Sequence, residues 1–233
     1  TCLSKAEAAA VTKIYQGPKK GKLTPGFAMG TEAVQWDQWI TGPNAEQARF
    51  ASQFYAYMVA EDPNWKIEQF DLDKDYEKAR DKTAAILDSS DPDLSEFAKR
   101  GKLILFHGWG DAALAPQNTI NYYEDMRGKL GDETADGFSR LYMMPGVAHC
   151  IGGPGPNSFD QLGALEQWVE KKQAPQELRA AKYAVEYAEL LGVPPGEPVR
   201  TRPLCPYPQV AQYKGSGSTD QAENFACAAP KNK

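Results

Sequence analysis

Two short apolar runs, set one helix apart, constrain this chain more than anything else in it. Lys102–His107 and Phe138–Met144 are mostly apolar and lack the strict alternation of a half-solvated strand. Runs of this kind suit strands buried on both faces, as in parallel sheets. Pro116–Leu130, between them, reads as a helix with proline in its first turn. Phe159–Lys172 reads as a second helix, with Leu162, Leu165, Trp168 and Val169 turned inward. Strand, helix, strand, helix predicts a crossover unit in a parallel sheet, and so an α/β class.

The residues before this unit have a different character. Ser4 and Glu7 make a capping box ahead of Ala8, Val11, Ile14 and Tyr15, which share one helical face. Gly17-Pro18 ends that helix, and residues to Gly30 read as loop. Thr31–Ile40 has no clean period. Ala45–Val59, with Phe50, Phe54, Tyr57 and Met58 at helical spacing, predicts a helix, as does Asp71–Leu87; Leu94–Lys99 predicts a short one. From Gly192 onward, prolines and a Gly-Ser-Gly-Ser run predict an irregular tail. Three regions follow: 1–100, 101–191 and 192–233.

Composition narrows the function. The 233 residues carry a net charge of −5 and no block of Lys or Arg, which argues against a nucleic-acid partner. Apolar runs are too short for a transmembrane helix, so no membrane partner is expected. The first residues lack a signal-peptide core and an initiator Met, and the expectation is a mature product or a piece of something longer. The four cysteines, Cys2, Cys150, Cys205 and Cys227, show no metal-type spacing. Disulfides in a secreted or periplasmic setting fit them better than reduced buried thiols. Cys205 and Cys227 bracket the tail and are expected to be bridged.

Chemistry concentrates in the two loops that follow the apolar runs. Asp111 lies in His107-Gly-Trp-Gly-Asp, and His149 in Pro145-Gly-Val-Ala-His-Cys. Catalytic groups gather at the carboxyl edge of parallel strands. A carboxylate there can orient a histidine and stabilise its charged form. Local sequence fits Asp111 equally well as a turn or helix-cap residue, and His149 alone would read as an ordinary surface or core histidine. Asp then His, each after a strand, is the second half of the Ser, Asp, His order of α/β-hydrolases. No G-x-S-x-G occurs. Ser4 and Ser158 read as helix caps, and Ser216 and Ser218 lie in the Gly/Ser run. His107, the other histidine, reads as a packed strand-end residue with no evident partner.

Lys102–Cys150 resembles the tannase/feruloyl esterase family of α/β-hydrolases, through His107-Gly-Trp-Gly-Asp111 and Pro145-Gly-Val-Ala-His149-Cys150. The opening Cys2-Leu-Ser-Lys-Ala-Glu to Lys13-Ile-Tyr-Gln-Gly-Pro18, the stretch Gly30-Thr-Glu-Ala-Val-Gln-Trp36, and the tail from Arg202-Pro-Leu-Cys205 to Cys227 resemble it as well. The resemblance implies a partial α/β-hydrolase, with parallel strands and crossover helices, plus a small, mostly helical lid. Asp111 would orient the base and His149 would be the base. Cys150 would pair with a cysteine before the catalytic serine, and Cys2 with another upstream cysteine. Neither partner is in this chain, nor is the serine or the family's calcium loop, so no metal or other cofactor is expected here. Phe27, Trp36 and Trp39 fall in the proposed lid. They could stack on an aromatic acyl group or form the core of the lid.

The implied function is the C-terminal portion of a secreted serine esterase acting on aromatic-acid esters of feruloyl or galloyl type. This chain alone is expected to be inactive. Its partners would be that substrate in the complete enzyme and the missing N-terminal half or a companion chain. The alternatives are a non-catalytic module that binds aromatic ligands, or one half of a two-chain esterase. A sheet cut short would also expose an edge and apolar faces, which a homodimer could cover.

Overall fold

The computed structural model describes residues 2–19, 21–149, 151–186, 194 and 196–231. The chain groups into two compact units: Gln35–Asp91, and Thr1–Val34 together with Pro92–Lys233.

The larger unit begins with α1 (Lys5–Gln16). Ser4 Oγ accepts the Glu7 amide, and Glu7 Oε2 accepts the Ser4 amide at 2.7 Å, so the expected capping box is present. In the smaller unit a π-helical turn, Asp37–Thr41, occupies the stretch that showed no clean period. Helix α2 (Glu46–Gln53) runs directly into a second π-helical segment, Phe54–Ala60. Apolar spacing does not mark the inner face here: Ala56 and Val59 are buried while Phe50, Tyr57 and Met58 are exposed. Helix α3 (Leu72–Leu87) starts at Asp71, whose side chain accepts the amides of Asp73 and Lys74. Lys82 of α3 bonds the Val59 carbonyl and Glu61, and Tyr55 packs on Trp65 and Phe70.

Back in the larger unit come α4 (Ser95–Ala98), β1 (Leu103–Gly108), α5 (Pro116–Leu130), α6 (Asp132–Phe138) and β2 (Ser139–Met144). The two strands are parallel and pair from Leu103↔Ser139 to Gly108↔Met144. Alternation across the pleat sends side chains to two cores. Leu103, Leu105 and Leu141 join Ile120, Tyr123 and Met126 of α5 and Phe138. Ile104, Tyr142 and Met144 face the other way, against Val147, Leu178 and Leu204. Packing against a core on each face is why these runs are mostly apolar. Helix α6 carries no strong sequence signal.

Helix α7 (Gln161–Lys171) differs from expectation in its inward face. Trp168 is buried beneath the guanidinium of Arg140, and Leu165 is half-buried, but Leu162 and Val169 are exposed. Asp160 caps the helix by accepting the Gly163 amide. Ser158, expected as the cap, instead bridges Ala181.

The tail is not irregular. Strand β3 (Leu178–Lys182) pairs antiparallel with β4 (Arg200–Leu204), and β5 (Val210–Tyr213) with β6 (Phe225–Ala228). The expected Cys205–Cys227 disulfide is present and ties β6 to the end of β4. Pro206 bridges Tyr142, and the Tyr207 amide donates to the Leu141 carbonyl at 2.7 Å. The tail therefore meets the free edge of β2 through one isolated bridge, while β1 and β2 remain a two-stranded sheet. Cys2 is exposed and free. Cys150 and its expected pairing lie outside the described residues.

Candidate active site

Strand β1 ends in a sharp approach to the loop after β2. The Trp109 amide donates to the Met144 carbonyl, and the Gly110 amide to the Val147 carbonyl, both at 2.9 Å. A Cβ on Gly108 would stand 2.3 Å from the Val147 oxygen, so only glycine lets the two loops close this far. Backbone pairing thus carries Asp111 and His149 to the same end of the strands.

Asp111 is 6% exposed. Its Oδ1 accepts the amides of Ala113 and Leu114, each at 2.8 Å. Its Oδ2 lies 2.9 Å from His149 Nδ1. The carboxylate thus serves both local readings at once, as a turn residue through one oxygen and a histidine partner through the other. Burial by itself would push its pKa up. Bonds from His107, the Leu114 amide, His149 and the Ala113 amide outweigh burial and bring it from 3.8 to about 2. Asp111 is ionised at any ordinary pH, so the proton in the His149 contact sits on Nδ1. The neutral ring then carries its lone pair on Nε2, which is the basic nitrogen. The His149 side chain is 27% exposed, against 5% for Asp111. A more accessible base above a buried orienting acid can exchange protons with a reacting group.

His107 has partners that its sequence context does not announce. Nδ1 is 2.6 Å from Thr119 Oγ1 on α5, and Nε2 is 3.2 Å from Asp111 Oδ2. The i,i+4 spacing within His107-Gly-Trp-Gly-Asp111 is the only linear hint; Thr119 gives none.

Other expected residues fall elsewhere. Phe27 lies in the larger unit, where its amide donates to the Ile14 carbonyl. Trp36 and Trp39 belong to the smaller one. Trp36 is buried at the start of the first π-helical turn, and Trp39 stacks on Phe50 with ring centroids 6.3 Å apart. Ser4 is a cap, Ser158 lies in a β-bridge, and Ser216 and Ser218 lie between β5 and β6. None of these four stands at a strand-to-helix elbow. Among the described residues no group of three or more His, Cys, Asp or Glu is placed to hold a metal ion. An apolar cleft of about 620 Å³ borders both site loops, lined in part by Trp109, Pro145, Tyr207 and Phe225.

A helix-flanked parallel strand pair with a part-buried Asp–His contact at its carboxyl end defines an α/β protein, with the contact at the edge where such sheets place ligands. Residues 1–228 match the family model described as tannase and feruloyl esterase, and the chain belongs to that family. It is 34% identical, over 98% of its length, to mono(2-hydroxyethyl) terephthalate hydrolase of Piscinibacter sakaiensis, of which the match covers 42%. A probable feruloyl esterase of Arthroderma benhamiae is 32% identical over 98% of the chain and 43% of that protein. The crystal structure of feruloyl esterase B from Aspergillus oryzae superposes with a TM-score of 0.83 at 25% identity, covering 98% of this chain and 46% of the other. The chain spans less than half the length of these relatives.

Proposed function

We propose that this chain carries the acid–base half of a serine esterase acting on esters of aromatic carboxylic acids. The observation that carries the proposal is the His149 Nδ1–Asp111 Oδ2 contact at 2.9 Å, with the other carboxylate oxygen held by two amides. The serine comes from polypeptide outside these 233 residues. Its hydroxyl attacks the ester carbonyl while His149 Nε2 takes the proton. The imidazolium, steadied by Asp111, then passes that proton to the departing alcohol oxygen. Water, deprotonated by the same nitrogen, cleaves the acyl-enzyme and releases the acid.

The substrate class follows from what the relatives' names share: feruloyl and terephthalate esters both present an aromatic acyl group. The proposed lid-like region is 1–100, within which Gln35–Asp91 forms a compact unit of its own. The outer edge of β1 is the seam at which the serine-bearing segment joins the sheet. The Cys205–Cys227 disulfide supports a secreted or periplasmic setting.

The test is hydrolysis of methyl ferulate and methyl gallate. This chain alone should give no more turnover than its His149→Ala variant. Supplying the serine-bearing segment should produce turnover that His149→Ala abolishes. Undiminished turnover in the assembled His149→Ala enzyme would remove His149 as the base.

A further inference from the structure

His107 is the other of the chain's two histidines, and the chemistry above does not use it. Its side chain is 12% exposed and stands between two polar atoms, Thr119 Oγ1 at 2.6 Å from Nδ1 and Asp111 Oδ2 at 3.2 Å from Nε2. The approach to Asp111 is oblique rather than a well-aligned bond. That oxygen is the one that meets His149 Nδ1. With Oδ1 occupied by two amides, a single carboxylate oxygen faces two imidazoles.

Electrostatics select the tautomer. A lone pair on Nε2 would face the lone pairs of a buried carboxylate, and repulsion there is strong because water cannot screen it. A proton on Nε2 turns the contact attractive. Nδ1 must then accept, and the rotatable hydroxyl of Thr119 can donate to it. The Thr119 hydrogen then lies between a donor and an acceptor, and the Nε2 proton faces Asp111 Oδ2 in a close ion-pair contact.

We infer that His107 is a positioning residue: Thr119 locks it with the proton on Nε2, and that N–H pins Asp111 so that Oδ2 stays aimed at His149. Two amides hold one carboxylate oxygen. Without His107, only the more exposed His149 would hold the other. The contact from His107 is also the leading influence among those that lower the Asp111 pKa against burial. The consequence for turnover rests on the esterase proposal; the tautomer does not.

The test starts from the ring-nitrogen spectrum of the 15N-histidine-labelled chain, where two histidines give two sets of signals. His107 should show a protonated Nε2 and a bare Nδ1, and Thr119→Val should shift it toward the other tautomer. His107→Phe should broaden the His149 Nδ1–H signal. In the enzyme supplied with its serine segment, that variant should lower kcat about tenfold with KM unchanged, the order of one hydrogen bond to a charged group. His107→Gln, whose amide can reach the place of Nε2, should recover kcat to within about threefold of wild type. A proton on His107 Nδ1 overturns the inference, as does a His107→Phe variant with the wild-type His149 signal and kcat. Asp111→Asn separates the two proposals. If it too leaves the His149 signal unchanged, the Asp–His pairing of the esterase proposal fails. If it abolishes that signal while His107→Phe does not, only the role of His107 fails.

Discussion

Strands β1 and β2 pair residue for residue, and each leads into a loop that carries one member of the Asp–His contact, yet their surroundings differ. Along the outer edge of β2 the tail is held by the isolated Tyr142–Pro206 bridge and the bond from the Tyr207 amide to the Leu141 carbonyl. Leu141 and Tyr142 are completely buried. Among the described residues no strand pairs with the other edge of β1, and Phe106 is 45% exposed. The two strands are similarly apolar in sequence. Their unequal burial comes from what packs beside them, and the Asp111 side of the site is the side left with an open edge.

The largest expected effect tests whether the two sides form one functional pair. In the assembled enzyme, Asp111→Ala and His149→Ala should each lower kcat on methyl ferulate by about ten-thousandfold, and the double variant little further. Losses that simply multiply would mean that the two residues act separately.

Next in size is the difference in burial. Leu141→Ala should cost about 3 kcal/mol, read from denaturant midpoints of this chain, because it empties a fully packed site. Phe106→Ala on the half-open strand should cost less than about 1 kcal/mol. Equal costs would break the comparison. Addition of the serine-bearing segment should raise the cost at Phe106, since β1 would then be covered.

The tail that finishes β2 can be loosened directly. Replacing Cys205 and Cys227 by serine frees a loop with a sequence separation of 22 and should cost about 3 kcal/mol. Amide exchange should then quicken in the tail and β2 more than in β1. Uniform quickening would mean that the tail does not favour β2.

The smallest effect belongs to the Asp111 side. Its folded pKa, about 2, lies below the usual 3.8. The associated stabilisation is therefore complete above about pH 4 and disappears as pH falls toward 2, amounting to about 2 kcal/mol. The stability gap between wild type and Asp111→Asn should narrow by that amount across this window. A constant gap would show that Asp111 gains nothing from its ionised contacts.

The crossover unit was legible because its signals are local and agree. The apolar runs, the proline opening α5 and the capping box of α1 each act within a few residues. The pairing of Asp111 with His149 was legible from their order in two strand-end loops. His107 was not: its contacts are a residue across a turn and a hydroxyl on a neighbouring helix. The strands of the tail were hidden by prolines and glycines, which mark turns well but say little about short edge strands between them. In α7 and in Phe54–Ala60 the apolar residues sit at helical spacing, yet several face solvent. Spacing shows which residues share a face, while the neighbouring elements decide whether that face is covered.

Sequence by itself determined the α/β crossover, the caps, the tail disulfide and the candidate acid–base pair. These rest on chain-local geometry, cysteine usage and motif order. Only the tertiary structure decided that the tail packs along the edge of β2, that β1 keeps an open one, and that one carboxylate oxygen faces two histidines. Those features need residues tens of positions apart to meet at hydrogen-bond distance, and that proximity is set by packing of the whole unit rather than by any stretch within it.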